Sequence, residues 1–162
     1  MSSLPQETKV VVIGGGIAGC STAYHLSKNG WNTVLIERDV LTSGTTWHAA
    51  GMITQLGNTP QITKLRKYSV EFYKDLKKIT GKDSSFKETG TINIAINKER
   101  HQEYLRQKTM SKLFDINIEI INKKKFKELY PIAKNSDVFS GLYIPEDGQA
   151  DPVGVTNVLA KA

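Results

Sequence analysis

Short apolar runs, glycines and a helical spacing follow one another in the first forty residues of the chain. Val10–Ile13 is continuously apolar and runs into three glycines, the pattern of a buried strand that ends in a turn. Ile17–Lys28 has helical spacing, and a second apolar run, Thr33–Ile36, ends at Glu37. The pattern predicts strand, turn, helix and second strand. The helix residues predicted to face the sheet are Ala18, Thr22, Ala23 and Leu26.

Two longer segments have periodicities that predict a helix and a strand. Between Gln61 and Thr80 apolar residues recur three and four positions apart, which predicts an amphipathic helix. Between Glu88 and Asn97 the side chains alternate, which predicts a strand with one covered face. The predicted buried stripe of the helix is Ile62, Leu65, Ser69, Phe72, Leu76 and Ile79, and the predicted covered face of the strand is Ile92, Ile94 and Ile96.

Capping residues mark the other predicted elements. Gly30 and Gly81 are predicted to end the first two helices. Asn122 and Asp151 are predicted to begin two others, with Pro152 at the first position of the last one. The remaining predicted elements are a helix over 98–114, a short helix that ends at 129, and strands over 117–121 and 140–144.

The glycine turn and the acidic residue after the second strand together predict a dinucleotide site. Gly14 lets the chain turn off the strand, Gly16 lets the backbone approach a pyrophosphate, and Gly19 lets the helix pack on the sheet. The helix N-terminus offers unpaired N–H groups to the phosphates. Glu37 is expected to accept both hydroxyls of an adenosine ribose and to repel a 2′-phosphate, which favours a free ribose over NADP. The alternative is a tight turn that binds no ligand.

Composition and charge narrow the class of protein. The chain has 162 residues and a net charge of +6, and residues 1–57 carry equal numbers of basic and acidic side chains. The excess therefore lies in residues 58–162, where the lysines are scattered among acidic residues, as on solvated helix faces. No aromatic residues interleave with them as in a base-stacking surface, so we expect no nucleic-acid partner.

The single cysteine and the absence of long apolar runs exclude further classes. Cys20 has no second cysteine to pair with, and we expect no metal site because no cluster of cysteine and histidine has metal-ligand spacing. Cys20 is expected to fill a tight helix–sheet contact, although its place in the first helical turn would favour a thiolate. No apolar run approaches the ~18 residues that a membrane span needs, and no leader pattern is present, so we expect a cytoplasmic protein.

A loop of small residues follows Glu37 and carries Trp47 and His48. With this loop, LTSGTTWHAAG, and the later segment GLYIPEDGQADP, the GGGIAG turn resembles the flavin-dependent amine oxidoreductases of the sarcosine and dimethylglycine dehydrogenase group, within the D-amino acid oxidase-like superfamily. The resemblance runs from Lys9 to Ala162. The WHAAG part is specific to that group, whereas the glycines alone indicate only a dinucleotide.

The resemblance implies FAD as the cofactor and a set of residues that hold it. The residue matching His48 carries a covalent bond to the 8-methyl carbon of the flavin in that group, and a neutral imidazole is a suitable nucleophile for it. The alternative for His48 is a structural histidine within a tight loop. The implied cofactor-binding residues are Gly14, Gly16, Ile17, Ala18, Gly19, Glu37, Arg38, Ser43, Gly44, Thr45, Thr46, His48, Ala49, Ala50 and Gly51.

The resemblance also implies a reaction, oxidative demethylation of a small N-methylated amino acid such as sarcosine or dimethylglycine, by hydride transfer to flavin. It implies tetrahydrofolate and an electron-transfer flavoprotein as partners of the full-length protein, and the mitochondrial matrix as the compartment in a eukaryote. In that group the substrate-binding groups lie mostly beyond residue 162, so no catalytic residue is assigned.

The expected architecture is the N-terminal part of an α/β, Rossmann-type FAD-binding domain with an interleaved part of an α+β substrate domain. The expected division is FAD-binding over 1–83, substrate domain over 84–145, and a return to the FAD-binding domain over 146–162. Because only two parallel strands are evident and no strand follows the last helix, we expect the chain to be truncated. Two alternatives remain: a non-catalytic dinucleotide-binding fragment, and an NAD-dependent dehydrogenase, which would leave the WHAAG loop unexplained.

Overall fold

The structure is a computed structural model that describes residues 5–83 and 85–162. The helices α1 to α5 cover, in order, Ile17–Lys28, Pro60–Thr80, Lys98–Ser111, Lys123–Leu129 and Pro152–Lys161. The strands β1 to β8 cover Val10–Ile13, Thr33–Ile36, Met52–Ile53, Lys87–Glu88, Thr91–Ala95, Glu119–Ile121, Ser140–Ile144 and Gly148–Gln149. Short 3₁₀ turns cover Thr46–His48 and Lys112–Phe114.

The first three elements form a βαβ unit with the predicted boundaries. Strands β1 and β2 are parallel and in register, from Val10 opposite Thr33 to Ile13 opposite Ile36. Helix α1 connects them, as parallel neighbours require a crossover. Gly30, with φ of +79°, follows the helix in the left-handed conformation that ends many helices, as predicted.

The buried side of α1 differs from the prediction. Ala18 and Thr22 are exposed, and Ala23 and Leu26 are half-buried. The fully buried residue is Cys20. Its helix packs against α5 as well as beside the two strands. The sequence pattern alone shows a stripe of small residues but not which neighbouring helix will cover it, so the predicted face was wrong at Ala18 and Thr22.

The chain divides into two compact units. The first comprises Met1–Met52, Tyr73–Phe86 and Ala150–Ala162. It contains the βαβ unit, the end of α2 and helix α5. Asp151 caps α5 as predicted, because its carboxylate accepts hydrogen bonds from the N–H groups of Val153 and Gly154. The buried apolar side chains described in this unit are Cys20, Leu76, Ala150, Val155, Val158 and Leu159.

The second unit comprises Ile53–Phe72 and Lys87–Gln149. Its main sheet places β7 between β5 and β6, with both pairings antiparallel. Asn122 caps α4 as predicted, by accepting a hydrogen bond from the Lys125 N–H. Strand β6 begins two residues later than predicted, at Glu119. The buried core residues here are Ala95, Tyr104, Ile116, Ile118, Leu142 and Ile144, with a second cluster of Ile121, Phe126 and Val138.

Two predicted apolar faces were only partly right. On the strand, Ile92 is half-buried and packs against the second core cluster, as predicted, but other members of each face are exposed. The predicted strand over 88–97 is two short strands separated at Gly90, whose φ is +70°. Its buried residue is Ala95, whereas Ile94 and Ile96 are 43% and 70% exposed. On α2, Phe72 and Leu76 are buried as predicted, but Ile62, Leu65 and Ile79 are exposed, and the buried set also includes Thr63 and Val70. Tertiary packing selected these faces over the more apolar ones.

Candidate functional site

The glycine turn after β1 brings the strand end and the start of α1 into direct contact. The Gly14 N–H donates a 2.8 Å hydrogen bond to the Ile36 carbonyl at the end of β2. Gly14 has a φ of +111°, which L side chains rarely adopt. A β-carbon on Gly19 would lie 1.9 Å from the Gly14 carbonyl oxygen. Glycine at 19 is therefore needed for the helix to approach the turn itself, and not only the sheet.

The N-terminus of α1 leaves backbone donors open. Gly16 is the N-cap residue and has no side chain to accept a hydrogen bond, and its carbonyl accepts from the Cys20 N–H. Within the described part of the chain, the N–H groups of Ala18 and Gly19 have no acceptor. Unpaired N–H groups at a helix start carry partial positive charge and favour an anion such as a phosphate.

Glu37 holds the turn that surrounds it. Its Oε2 accepts a 2.6 Å hydrogen bond from the Gly15 N–H, and its Oε1 accepts from the N–H groups of Arg38 and Asp39. These bonds, the one from Gly15 foremost, lower the pKa of the Glu37 carboxyl below its ordinary value. A carboxylate has about four acceptor positions, so about one remains for a ligand hydroxyl. Glu37 can therefore accept about one ribose hydroxyl, and not the two that the sequence predicts.

A cavity of about 400 Å³ lies at the carboxyl ends of β1 and β2. This edge is where ligands bind in open parallel α/β sheets. The cavity brings together five of the predicted cofactor-binding residues, Gly14, Glu37, Arg38, Ser43 and Gly44. Its other lining residues, which the sequence did not single out as binding residues, are Ile13, Ile36 and Asp39. Their only sequence signal is that they directly flank predicted ones.

The small-residue loop after Glu37 is bonded to the glycine turn at two points. The Thr42 N–H donates a 3.0 Å hydrogen bond to the Gly15 carbonyl, and Thr42 adopts a φ of +72°. The Thr46 Oγ1 accepts a 3.0 Å hydrogen bond from the Ile17 N–H. Both threonines are 6% exposed. Thr46, predicted to bind cofactor, therefore hydrogen-bonds to the start of α1. Thr42, which the sequence placed in the small-residue loop without a structural role, anchors that loop to the glycine turn.

His48 lies on the 3₁₀ turn that Thr46 begins. Its imidazole is exposed and lies against the Trp47 ring, with 3.7 Å between ring centroids. The His48 N–H donates to the Thr45 carbonyl, and the Ala49 N–H donates to the Thr46 carbonyl. Thr45, Ala49 and Ala50 are exposed. These residues and His48 do not line the cavity at the strand ends.

Gly51 ends this loop against the start of α5. Its carbonyl accepts a 2.9 Å hydrogen bond from the Ala150 N–H, and its φ is +74°. A β-carbon at Gly51 would lie 2.1 Å from the Ala150 carbonyl oxygen. The close approach of two backbones therefore requires glycine here, a structural role beyond the predicted contact with a cofactor.

The environment of Cys20 does not favour a reactive thiolate. Its thiol is fully buried and lies 3.6 Å from the Gly15 carbonyl, to which it donates. Burial, with a smaller contribution from the Glu37 charge, raises the pKa of the thiol above its ordinary value. The packing role predicted for Cys20 is confirmed over the thiolate that its helix position alone would favour.

Over residues 5–83 and 85–162, no cluster of three or more histidine, cysteine or acidic side chains is arranged to hold a metal ion. In the same residues, no helix combines the length and apolar character required to cross a bilayer.

Sequence and structure comparisons place the chain among flavin enzymes. The family model described as FAD dependent oxidoreductase matches residues 9–162. The chain is 42% identical over 98% of its length to 4-methylaminobutanoate oxidase (formaldehyde-forming) from Paenarthrobacter nicotinovorans, and 39% identical over 98% to mitochondrial sarcosine dehydrogenase from Mus musculus. It spans only 19% and 18% of those relatives.

Among solved structures, L-proline dehydrogenase from P. horikoshii has a similar fold. The TM-score is 0.90 at 32% sequence identity, over 97% of this chain and 41% of that one. The resemblance to flavin-dependent amine oxidoreductases that the sequence motifs indicate is confirmed by these matches.

Proposed function

The chain belongs to the FAD-dependent oxidoreductase family, and on that premise we propose that its first unit holds the adenosine diphosphate part of FAD. The cavity at the ends of β1 and β2 supports this most directly, because both the glycine turn and Glu37 line it. The residues fit such a group. A β-carbon on Gly14 would project into open space, and the nearby α1 N-terminus has N–H groups free for a phosphate.

The proposed binding residues divide by chemistry. Gly14, Gly16 and the N–H groups of Ala18 and Gly19 face the phosphates, and Ile17 holds Thr46 in place. Glu37 accepts one ribose hydroxyl, since its other acceptor positions are occupied. We assign the remaining contacts to backbone and small side chains of the loop: Arg38, Ser43, Gly44, Thr45, Ala49, Ala50 and Gly51.

The proposed reaction is oxidation of a small N-methylated amino acid of the sarcosine or dimethylglycine type. Bound flavin supplies a two-electron acceptor for a C–H bond beside nitrogen. Two relatives named above act on N-methylated amino acids by their names, which supports the substrate class. Formaldehyde or a one-carbon unit on tetrahydrofolate is the proposed fate of the methyl carbon, and oxygen or an electron-transfer flavoprotein the proposed electron acceptor.

His48 is the proposed point of covalent attachment. Its side chain is exposed beside a loop that is fixed to the glycine turn, so an imidazole nitrogen is available to form a bond to the 8-methyl carbon. When FAD is bound, the ring would supply the electrophilic 8-methyl carbon, and His48 would supply the imidazole nitrogen that bonds to it. The domain division at residues 83 and 145 and a cytoplasmic or mitochondrial-matrix location also remain proposals.

The experiment that tests this function uses the protein as it is naturally encoded. Purified protein should show a flavin absorption spectrum, and acid precipitation should leave that spectrum with the polypeptide. In His48→Ala the flavin should become acid-extractable, whereas the matched control His25→Ala, on α1, should keep it. Sarcosine, dimethylglycine and 4-methylaminobutanoate are then compared as reductants of the bound flavin under anaerobic conditions. Absence of any bound flavin overturns the proposal, and extractable flavin in the wild type overturns only the covalent link.

A further inference from the structure

The start of helix α1 lacks a cap of its own. Gly16 occupies the N-cap position, where a serine, threonine or aspartate side chain usually accepts a hydrogen bond from the first turn. A β-carbon at Gly16 would lie 2.9 Å from the Thr46 Oγ1. A larger residue at 16 would therefore meet the atom that takes over this task.

Thr46 supplies the missing cap from a distant part of the chain. Its Oγ1 accepts a 3.0 Å hydrogen bond from the N–H of Ile17, which lies 29 positions earlier. Thr46 is 6% exposed, so water competes little for this bond. Gly16 has no side chain, and the buried Thr46 hydroxyl lies where a β-carbon at residue 16 would contact it. The absence of a side chain at Gly16 and the burial of Thr46 are two separate features that support the same contact.

The same threonine begins the turn that carries His48. The Ala49 N–H donates a 3.1 Å hydrogen bond to the Thr46 carbonyl, which closes the turn around His48. The Thr42 N–H, bonded to the Gly15 carbonyl over 3.0 Å, fixes the other end of the loop to the glycine turn. The backbone of the turn around His48 is therefore tied to the first residues of α1.

We infer that Thr46 is a positioning residue that fixes the His48 turn on the N-terminus of α1. This inference rests on the proposed role of His48 as the flavin attachment residue. A nucleophilic nitrogen reacts faster when it is held in place, because the entropy cost of orienting it has already been met when the protein folds. Thr46 does this through its hydroxyl acceptor, without itself touching the reacting atoms.

The decisive variants are Thr46→Val, which keeps the shape and removes the acceptor, and Thr46→Ser, which keeps the hydroxyl. Thr22→Val, at an exposed position of α1, is the matched control. Apoprotein of each variant receives FAD, and acid-precipitable flavin is followed over time beside total bound flavin. We expect Thr46→Val to incorporate covalent flavin about tenfold more slowly, with total binding within about threefold of wild type, and Thr46→Ser and Thr22→Val to match wild type. Incorporation at the wild-type rate in Thr46→Val overturns the inference.

Hydrogen exchange separates this inference from the proposed function. In Thr46→Val the Ile17 and Ala49 amides should exchange about fivefold faster, the effect of losing a helix cap of typical strength. Thr46→Ser should restore their protection. If wild-type protein has no covalent flavin, the role of His48 fails, and these amides alone decide whether Thr46 holds the turn. Unchanged exchange at both amides in Thr46→Val overturns the positioning role whatever the flavin result.

Discussion

The Gln55 N–H donates a 2.9 Å hydrogen bond to Oδ1 of Asp147, joining residues 92 positions apart. The Thr91 hydroxyl donates to Oδ2 of the same carboxylate over 2.6 Å. Asp147 is fully buried and lies in the segment between β7 and β8. Its carboxylate therefore ties two other stretches of the second unit, at Gln55 and at Thr91, to the segment that carries Asp147. Burial raises the pKa of this carboxyl above its ordinary 3.8, against the opposing effect of its hydrogen bonds.

The raised pKa of Asp147 predicts a pH dependence of stability. Because the folded state binds this proton more tightly than the unfolded chain, the contribution of Asp147 is most favourable below pH 3.8 and declines as pH rises through the folded pKa. The difference in free energy of unfolding between wild type and Asp147→Asn should therefore shrink from pH 3.5 upwards. Urea unfolding at a series of pH values measures it. A difference that grows with pH would contradict the assignment.

Removal of the Asp147 carboxylate should be costly. Asp147→Ala leaves the buried Gln55 N–H and the Thr91 hydroxyl without acceptors, at about 1–3 kcal/mol each. We expect a loss of about 2–5 kcal/mol in the free energy of unfolding. Glu146→Ala, next to it in the chain, is the matched control for loss of an acidic residue. Equal stability of the two variants would show that these two hydrogen bonds contribute little.

Gly19→Ala should disrupt the contact between α1 and the glycine turn. The new β-carbon would lie 1.9 Å from the Gly14 carbonyl oxygen, so the helix must move away from the turn. We expect a loss of about 2–4 kcal/mol and a loss of FAD retention. Thr22→Ala, at an exposed site on the same helix, should change stability by less than about 0.5 kcal/mol. Denaturant unfolding and the flavin content of purified protein are the measurements, and a Gly19→Ala protein that keeps flavin would refute the argument.

Glu37→Gln should weaken nucleotide binding and reduce its selectivity for a free ribose. Because the pKa of Glu37 is lowered in the folded state, its carboxylate stabilises the fold above pH 4.5, and this stabilisation is lost as pH falls through the folded pKa. At neutral pH we expect about tenfold weaker binding of ADP, the effect of losing one charged hydrogen bond. The variant should also discriminate less against a 2′-phosphate. Calorimetric titration with ADP and with adenosine 2′,5′-bisphosphate checks this, with Glu7→Gln as control. An unchanged ratio of the two affinities would exclude the ribose contact.

Cys20 should be unreactive in the folded protein. Its thiol is fully buried and its pKa is raised by burial, so little thiolate forms at pH 8. We expect a chromogenic disulfide reagent to modify native protein at least about a hundredfold more slowly than protein unfolded in urea, because reaction requires opening of the α1 contact. Fast modification of the native protein would mean that α1 is not packed as described.

Local signals in the sequence were sufficient for the boundaries of several elements. The predicted limits of β1, α1 and β2 match the structure, because an apolar run, a glycine turn and a left-handed glycine each act within a few residues. The caps at Asn122 and Asp151 were predictable for the same reason, since a cap bonds N–H groups two or three positions away.

The buried faces were less predictable. Ile94 and Ile96 are exposed while Ala95 is buried, although isoleucine is the more apolar residue. The side of a strand that is covered depends on which elements pack against it, and those elements come from elsewhere in the chain. Gly90 separates β4 from β5 where a β-carbon would meet the Tyr143 ring, a residue 53 positions away. A single-sequence pattern does not contain such contacts.

The sequence by itself determined the βαβ motif, the order of most elements and the family resemblance, because these follow from short-range chemistry and from motifs read in order. Only the tertiary structure decided how the candidate site is assembled. It placed Ser43 and Gly44 beside Glu37, and it made Thr46 the cap of α1. Hydrogen bonds between distant residues, such as Gln55 with Asp147, require the folded chain to bring donor and acceptor within 3 Å, and no local pattern encodes that approach.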